Sequence, residues 1–163
     1  MITLFTCQLY KKHETGKLYA NIPDIVLLSA DSVEYNLSCM KQDTAKPAVI
    51  FFFHPDCKLC EAEISNIIER PEILCEAKVL FVSSASIEKI KTFLKKYPLQ
   101  DLTDVTVVSD FRSEFKSLFN PSTIPCIYIY DRNHKLDIMI KGLLKSETIQ
   151  KLINRAYGNK KTE

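Results

Sequence analysis

Two cysteines three positions apart, Cys57 and Cys60, follow a Pro55-Asp56 turn. They open a segment in which Ile64, Ile67 and Ile68 recur at helical spacing. Ahead of them Ala48 to Phe53 is an unbroken apolar run, the pattern of a strand covered on both faces. A buried strand that delivers two thiols to a helix N-terminus is built for thiol-disulfide exchange. The helix end carries partial positive charge and unpaired N–H groups, which favour a thiolate in its first turn. Cys57 is then the attacking sulfur, and Cys60, one turn inside, resolves the mixed disulfide. Glu63 lies a further turn on, where a carboxylate can take up or return the proton of a buried thiol. The plainer role, a solvated carboxylate favouring the helix dipole, fits Glu61 and remains open for Glu63. Asp56 is read as the helix cap, and its charge opposes a thiolate at Cys57 against the help of the dipole and Lys58.

The chain that must position these groups has 163 residues, enough for one domain with a substantial core. Its 22 basic and 20 acidic residues leave a net charge of +2, too close to balanced to imply nucleic acid or an acidic membrane as partner. Six cysteines stand at 7, 39, 57, 60, 75 and 126, and one pair has motif spacing. Cys39, Cys75 and Cys126 therefore read as small buried hydrophobes. His54, Cys57 and Cys60 offer three soft ligands, but a structural zinc site takes four, so no metal ligands are assigned. Metal binding through those three residues is kept as an alternative. No apolar run reaches membrane-spanning length. Leu4-Phe5-Thr6-Cys7-Gln8 looks like the end of a lipoprotein signal, yet the apolar region that should precede it is missing, and a frayed terminus is preferred.

Taken in order, residues 1–20 are expected to form a flexible lead-in, residues 21–157 the domain and residues 158–163 a disordered tail. Ile25 to Leu28 and Val33 to Leu37 flank an Asp31-Ser32 turn and suggest a β-hairpin. After the dithiol helix, which Pro71 limits, strands are expected at Val79 to Val82, Val105 to Val108, Ile124 to Tyr130 and Leu136 to Ile140. Helices are expected after Ser86, from Ser113 to Phe119 and from Ser146 to about Tyr157, with Lys89, Lys91, Lys95 and Lys96 facing water. Strands alternating with helices imply an α/β domain with parallel pairs and crossovers, closed by an antiparallel hairpin near residue 132.

The strand, the Cys57-Lys58-Leu59-Cys60 helix start and the Thr123-Ile124-Pro125 segment before a late hairpin together resemble the thioredoxin superfamily. The extra strand-helix unit, Val105 to Phe119, the amino-terminal hairpin and the Cys57, Cys60, Glu63 pattern are similar to its extracytoplasmic TlpA/ResA branch, related to AhpC/TSA proteins. The resemblance spans roughly residues 20 to 157. It implies a thioredoxin fold, with a central mixed sheet flanked by helices and a cis Pro125 beside the dithiol. It also implies Ile124, Pro125, Lys58 and Leu59 as the substrate-binding surface, with Cys57, Cys60 and Glu63 catalytic. No cofactor is expected beyond the redox-active disulfide. Partners would be protein disulfides or dithiols and a recycling redox protein, without nucleic acid. The protein would be a monomeric enzyme of the periplasm or cell envelope, tethered if a longer or lipidated N-terminus exists, the cytoplasm being the alternative.

Two departures matter. The family usually has Trp before the first cysteine, whereas this chain has Asp56 there and no Trp at all. Cys126, directly after the proline, offers a third thiol if it faces the dithiol, although a core residue is the simpler reading. A peroxidase of the peroxiredoxin type would need Pro-x-x-x-Thr-x-x-Cys, and Pro55 stands only two before Cys57 with no Thr three before it.

Overall fold

In the computed structural model, which describes residues 9–11 and 19–158, Ala48–Phe53 forms β4 with all six residues buried. Alternation sends Val49, Phe51 and Phe53 to one face and Ala48, Ile50 and Phe52 to the other, so both faces need cover. The strands are β1 (Leu9–Lys11), β2 (Val26–Ser29), β3 (Glu34–Asn36), β4, β5 (Lys78–Ser83), β6 (Val105–Ser109), β7 (Cys126–Tyr130) and β8 (Leu136–Lys141). The helices are α1 (Lys58–Glu69), α2 (Ile87–Lys96), α3 (Glu114–Phe119) and α4 (Ser146–Gly158). They make one eight-stranded mixed sheet in the order β1-β8-β7-β4-β5-β6-β2-β3.

β4, β5 and β6 are parallel and adjacent, so α1 and α2 cross over on the same face, as right-handed connections stepping one way across a sheet require. Ile64, Ile67, Ile90, Phe93, Leu94, Ile149 and Ile153 from α1, α2 and α4 cover that face. The return from β6 to β7 runs over the other face, where Phe115 and Phe119 of α3 join Leu37, Met40, Tyr19 and Ile22. Phe52, Phe115, Phe119, Tyr19 and Tyr128 form a stacked and edge-on aromatic core there.

The sequence-expected strands and helices are all present. The hairpin β2-β3 joins the main sheet through antiparallel pairing of β2 with β6. The amino-terminal reading needs amendment: β1 pairs with β8, and Tyr19, 6 % exposed, belongs to the core, so packed structure begins before residue 21. Cys7 and the lipoprotein-like segment, like the tail beyond Gly158, lie outside the described residues. Cys39 and Cys75 are exposed, contrary to the expectation of burial. Each sits on a short 3-10 turn whose neighbours, Leu37 and Met40 or Ile73 and Leu74, take the inward positions. No helix among the described residues is long and apolar enough to cross a membrane.

Candidate active site

β4 ends at Phe53, and the chain turns through His54-Pro55-Asp56, with the Cys57 N–H donating to the His54 carbonyl at 3.0 Å. The N-cap of α1 is Cys57 itself, and its Sγ accepts the Cys60 N–H at 3.3 Å. Asp56, expected as the cap, instead turns outward to Lys89, 2.6 Å from its Oδ2. The shift is physically consequential: a sulfur in the cap position meets the unpaired amides of the first turn directly.

Cys57 is partly accessible, and Cys60 is 1 % exposed beneath it. Burial, then the hydrogen bond with Cys57, pushes the Cys60 thiol up, so the inner sulfur rests protonated. Glu63 is also buried, and burial raises its carboxyl to about 7, against the opposing pull of the Leu144 N–H, which donates to Oε1 at 3.1 Å. That places Glu63 within the core, on the Cys60 side of α1, and excludes the solvated role for it. Glu61 does not fit that role fully either: Lys58 and Lys96 bind its carboxylate and hold it down at about 2.

Ile124 and Pro125 reach the same place from the other side of the sheet axis. The Ile124–Pro125 peptide is cis, and the Cys57 thiol donates to the Ile124 carbonyl at 3.9 Å. The Gly142 N–H donates to the Pro125 carbonyl at 2.8 Å, and Gly142, with φ of 89°, turns the chain so that Leu144 meets Glu63. Leu59 in the first turn of α1 and Leu143, next to Gly142, are 49 % and 42 % exposed, and Lys58 is more exposed still. The residues named from sequence, Cys57, Cys60, Glu63, Ile124, Pro125, Lys58 and Leu59, therefore converge.

Cys126 does not join them. It alternates with Ile127 on β7 and lies fully buried in the aromatic core on the far face. The metal-binding alternative also loses its ligand set. His54 Nδ1 accepts the Asp56 N–H at 3.2 Å, and no group of three or more His, Cys, Asp or Glu among the described residues is arranged to hold a metal ion.

Sequence comparison matches the AhpC/TSA family over residues 19–139, well over half of the chain and including every site residue named from the sequence. The chain belongs to the AhpC/TSA family. No curated protein matches it. Among solved structures, this AhpC/TSA protein is similar to a secreted Mycobacterium tuberculosis disulfide oxidoreductase described as homologous to DsbE of E. coli. The two share 15 % identity and a TM-score of 0.68, with 81 % of this chain and 96 % of that chain covered. It is similar as well to the exposed lipoprotein thioredoxin of Streptococcus pneumoniae, with 21 % identity, a TM-score of 0.65 and coverage of 82 % and 99 %. A peroxiredoxin-like protein of Aquifex aeolicus matches with 17 % identity, a TM-score of 0.68 and coverage of 92 % of each chain. At these identities the likeness establishes the thioredoxin fold of this family member.

Proposed function

We propose that this protein is a thiol-disulfide oxidoreductase acting on protein disulfides through Cys57 and Cys60. The observation that carries the reading is the Cys57 sulfur standing as N-cap of α1, accessible, above a buried second thiol. The Cys57 thiolate attacks one sulfur of a substrate disulfide; a Cys57–substrate bond forms, the substrate S–S bond breaks, and the leaving thiolate takes a proton. Cys60 then gives up its proton and attacks Cys57 Sγ. The second substrate thiol leaves, the domain holds the Cys57–Cys60 disulfide, and the substrate has gained two electrons and two protons. The reverse direction uses the same steps. Glu63, whose carboxyl is poised near neutrality one turn from Cys60, is the group that accepts the Cys60 proton. Ile124, Pro125, Lys58 and Leu59 receive the substrate chain around the reacting sulfur.

The working direction is reduction and the working place the cell envelope. What supports the placement is the similarity to a secreted disulfide oxidoreductase and an exposed lipoprotein thioredoxin; the direction rests on the likeness of the Cys57, Cys60, Glu63 pattern to the TlpA/ResA branch. The test is the Cys57–Cys60 reduction potential, from equilibration in defined thiol buffers and free-thiol counting by alkylation and mass spectrometry. A value near or below roughly −250 mV is expected for a reductant, and one near roughly −120 mV would make the protein an oxidant. Failure to form that disulfide at any potential would overturn the reading, and turnover of hydrogen peroxide without it would move the protein to the peroxidases.

A further inference from the structure

Two carboxylates stand at the mouth of the dithiol, and lysines of α2 meet both. Glu61 is bound by Lys96 at 3.0 Å, besides Lys58 at 2.8 Å and the Tyr97 hydroxyl at 3.2 Å. Asp56 is bound by Lys89 at 2.6 Å. Asp56 is the more consequential, because it directly precedes Cys57 and an anion beside a thiol disfavours the thiolate.

Lys89 occupies a position that its own helix disfavours. It is the third residue of α2 after the Ser86 cap, at the positive end of the helix dipole. The backbone that carries it is fixed: Ser86 Oγ accepts the Lys89 N–H at 3.3 Å. The preceding Ala85 is clamped by Ser83 Oγ, which accepts its N–H at 3.2 Å, and by Ser109 Oγ, which donates to its carbonyl at 3.0 Å. Asp56 is fixed as well, through its N–H on His54 Nδ1. The ion pair adds little to stability, since its side chains are 64 % and 56 % exposed and water screens them. Its effect is on local charge.

We propose that Lys89 is a positioning residue for the dithiol, which draws the Asp56 carboxylate towards α2 and cancels its repulsion of the Cys57 thiolate. The inference rests on Cys57 being the attacking sulfur. The charged and titratable groups of the dithiol segment are His54, Asp56, Lys58, Cys60, Glu61 and Glu63 from the β4 exit and α1, and those of α2 bound to them are Lys89, Lys96 and Tyr97. Of these, Lys89 and His54 approach the Asp56 carboxylate, at 2.6 and 3.8 Å. The interacting residues lie 33 positions apart, so the device depends on the fold and not on the dithiol segment alone.

The experiment is the pH profile of Cys57 alkylation by iodoacetamide in the reduced full-length protein at low salt, read by peptide mass spectrometry. Lys89→Gln is expected to slow Cys57 at pH 7 about threefold, the scale of one exposed charge acting across several ångströms of high dielectric. Lys89→Arg should restore the wild-type profile, and in the Asp56→Asn background the effect of Lys89→Gln should shrink to within about 1.5-fold. An unchanged profile, or equal slowing in both backgrounds, would overturn the proposal. So would loss of Cys60 protection in Lys89→Gln, because the pair would then be holding structure. The oxidoreductase reading fails separately, if the wild-type protein forms no Cys57–Cys60 disulfide in thiol buffers.

Discussion

The Cys60 amide donates to the Cys57 sulfur at 3.3 Å, so the residue that buries its own thiol also supplies a hydrogen bond to the exposed one. Differential reactivity follows from that single turn. In the reduced protein Cys57 should be alkylated well before Cys60. Cys60→Ser should accumulate a mixed disulfide between Cys57 and a model disulfide, whereas Cys57→Ser should form none at Cys60. Peptide mapping of the adducts checks both, with Cys39 and Cys75 as exposed reference thiols and Cys126 as the buried one.

Glu63 makes stability depend on pH. Its carboxyl lies at about 7 in the folded protein, raised from 4.5 by burial. The folded state therefore keeps a proton that the unfolded state has lost, and stability falls as pH rises from about 4.5 through about 7. The change is roughly 3 kcal/mol, from about 1.36 kcal/mol per unit. Urea unfolding of the reduced protein at pH 5 and pH 8 should show the loss in the wild type and a flatter response in Glu63→Gln.

Asp110, 2 % exposed, accepts the Phe115 and Lys116 amides at 3.0 and 2.9 Å and so closes the start of α3. Asp110→Ala should cost about 2–3 kcal/mol by leaving two amides unpaired, and Asp110→Asn about 1 kcal/mol. Because α3 packs on the face opposite α1, the Cys57 alkylation rate should stay unchanged in both variants. Urea midpoints alongside that rate test the separation.

Two buried tyrosines on β7 should respond oppositely to loss of the hydroxyl. The Tyr130 hydroxyl donates to the Tyr19 carbonyl at 2.8 Å, whereas the buried Tyr128 hydroxyl has only the weakly hydrogen-bonding Cys126 thiol beside it. Tyr130→Phe should lower stability by about 1 kcal/mol, and Tyr128→Phe should be neutral or stabilising. Thermal unfolding of the two variants side by side decides it.

Much of this architecture is legible from local sequence pattern. The buried run Ala48 to Phe53, the dithiol at a helix start and the spacing of Ile64 and Ile67 each depend on neighbours in the chain. The parity of Cys126 against Ile127 would have placed it on the far face, once Ile127 is taken as packing under α1. What escaped depends on contacts between distant segments. The capping preference pointed to Asp56 because carboxylates are commoner caps than thiolates, and only Lys89, on another helix, shows what turns Asp56 away. The anchoring of Glu63 by Leu144 joins residues 81 positions apart and has no sequence mark beyond Gly142. The exposure of Cys39 and Cys75 reflects short 3-10 turns too brief to leave a periodic signal.

The parallel strands β4, β5 and β6 all leave the sheet at the end that carries Cys57, Ala85 and Asp110. Their opposite ends are knit by Lys46, Lys78 and Asp104, beside Arg132 on the Thr44 carbonyl. The length of β4 separates the two ends by roughly 20 Å. That remote rim is a natural handle: a fluorophore or surface linker attached at Arg132 would ride on the same rigid sheet as the dithiol yet stay clear of any protein docked on it. Immobilised that way, the domain could be presented to candidate partners with Cys57 facing outward.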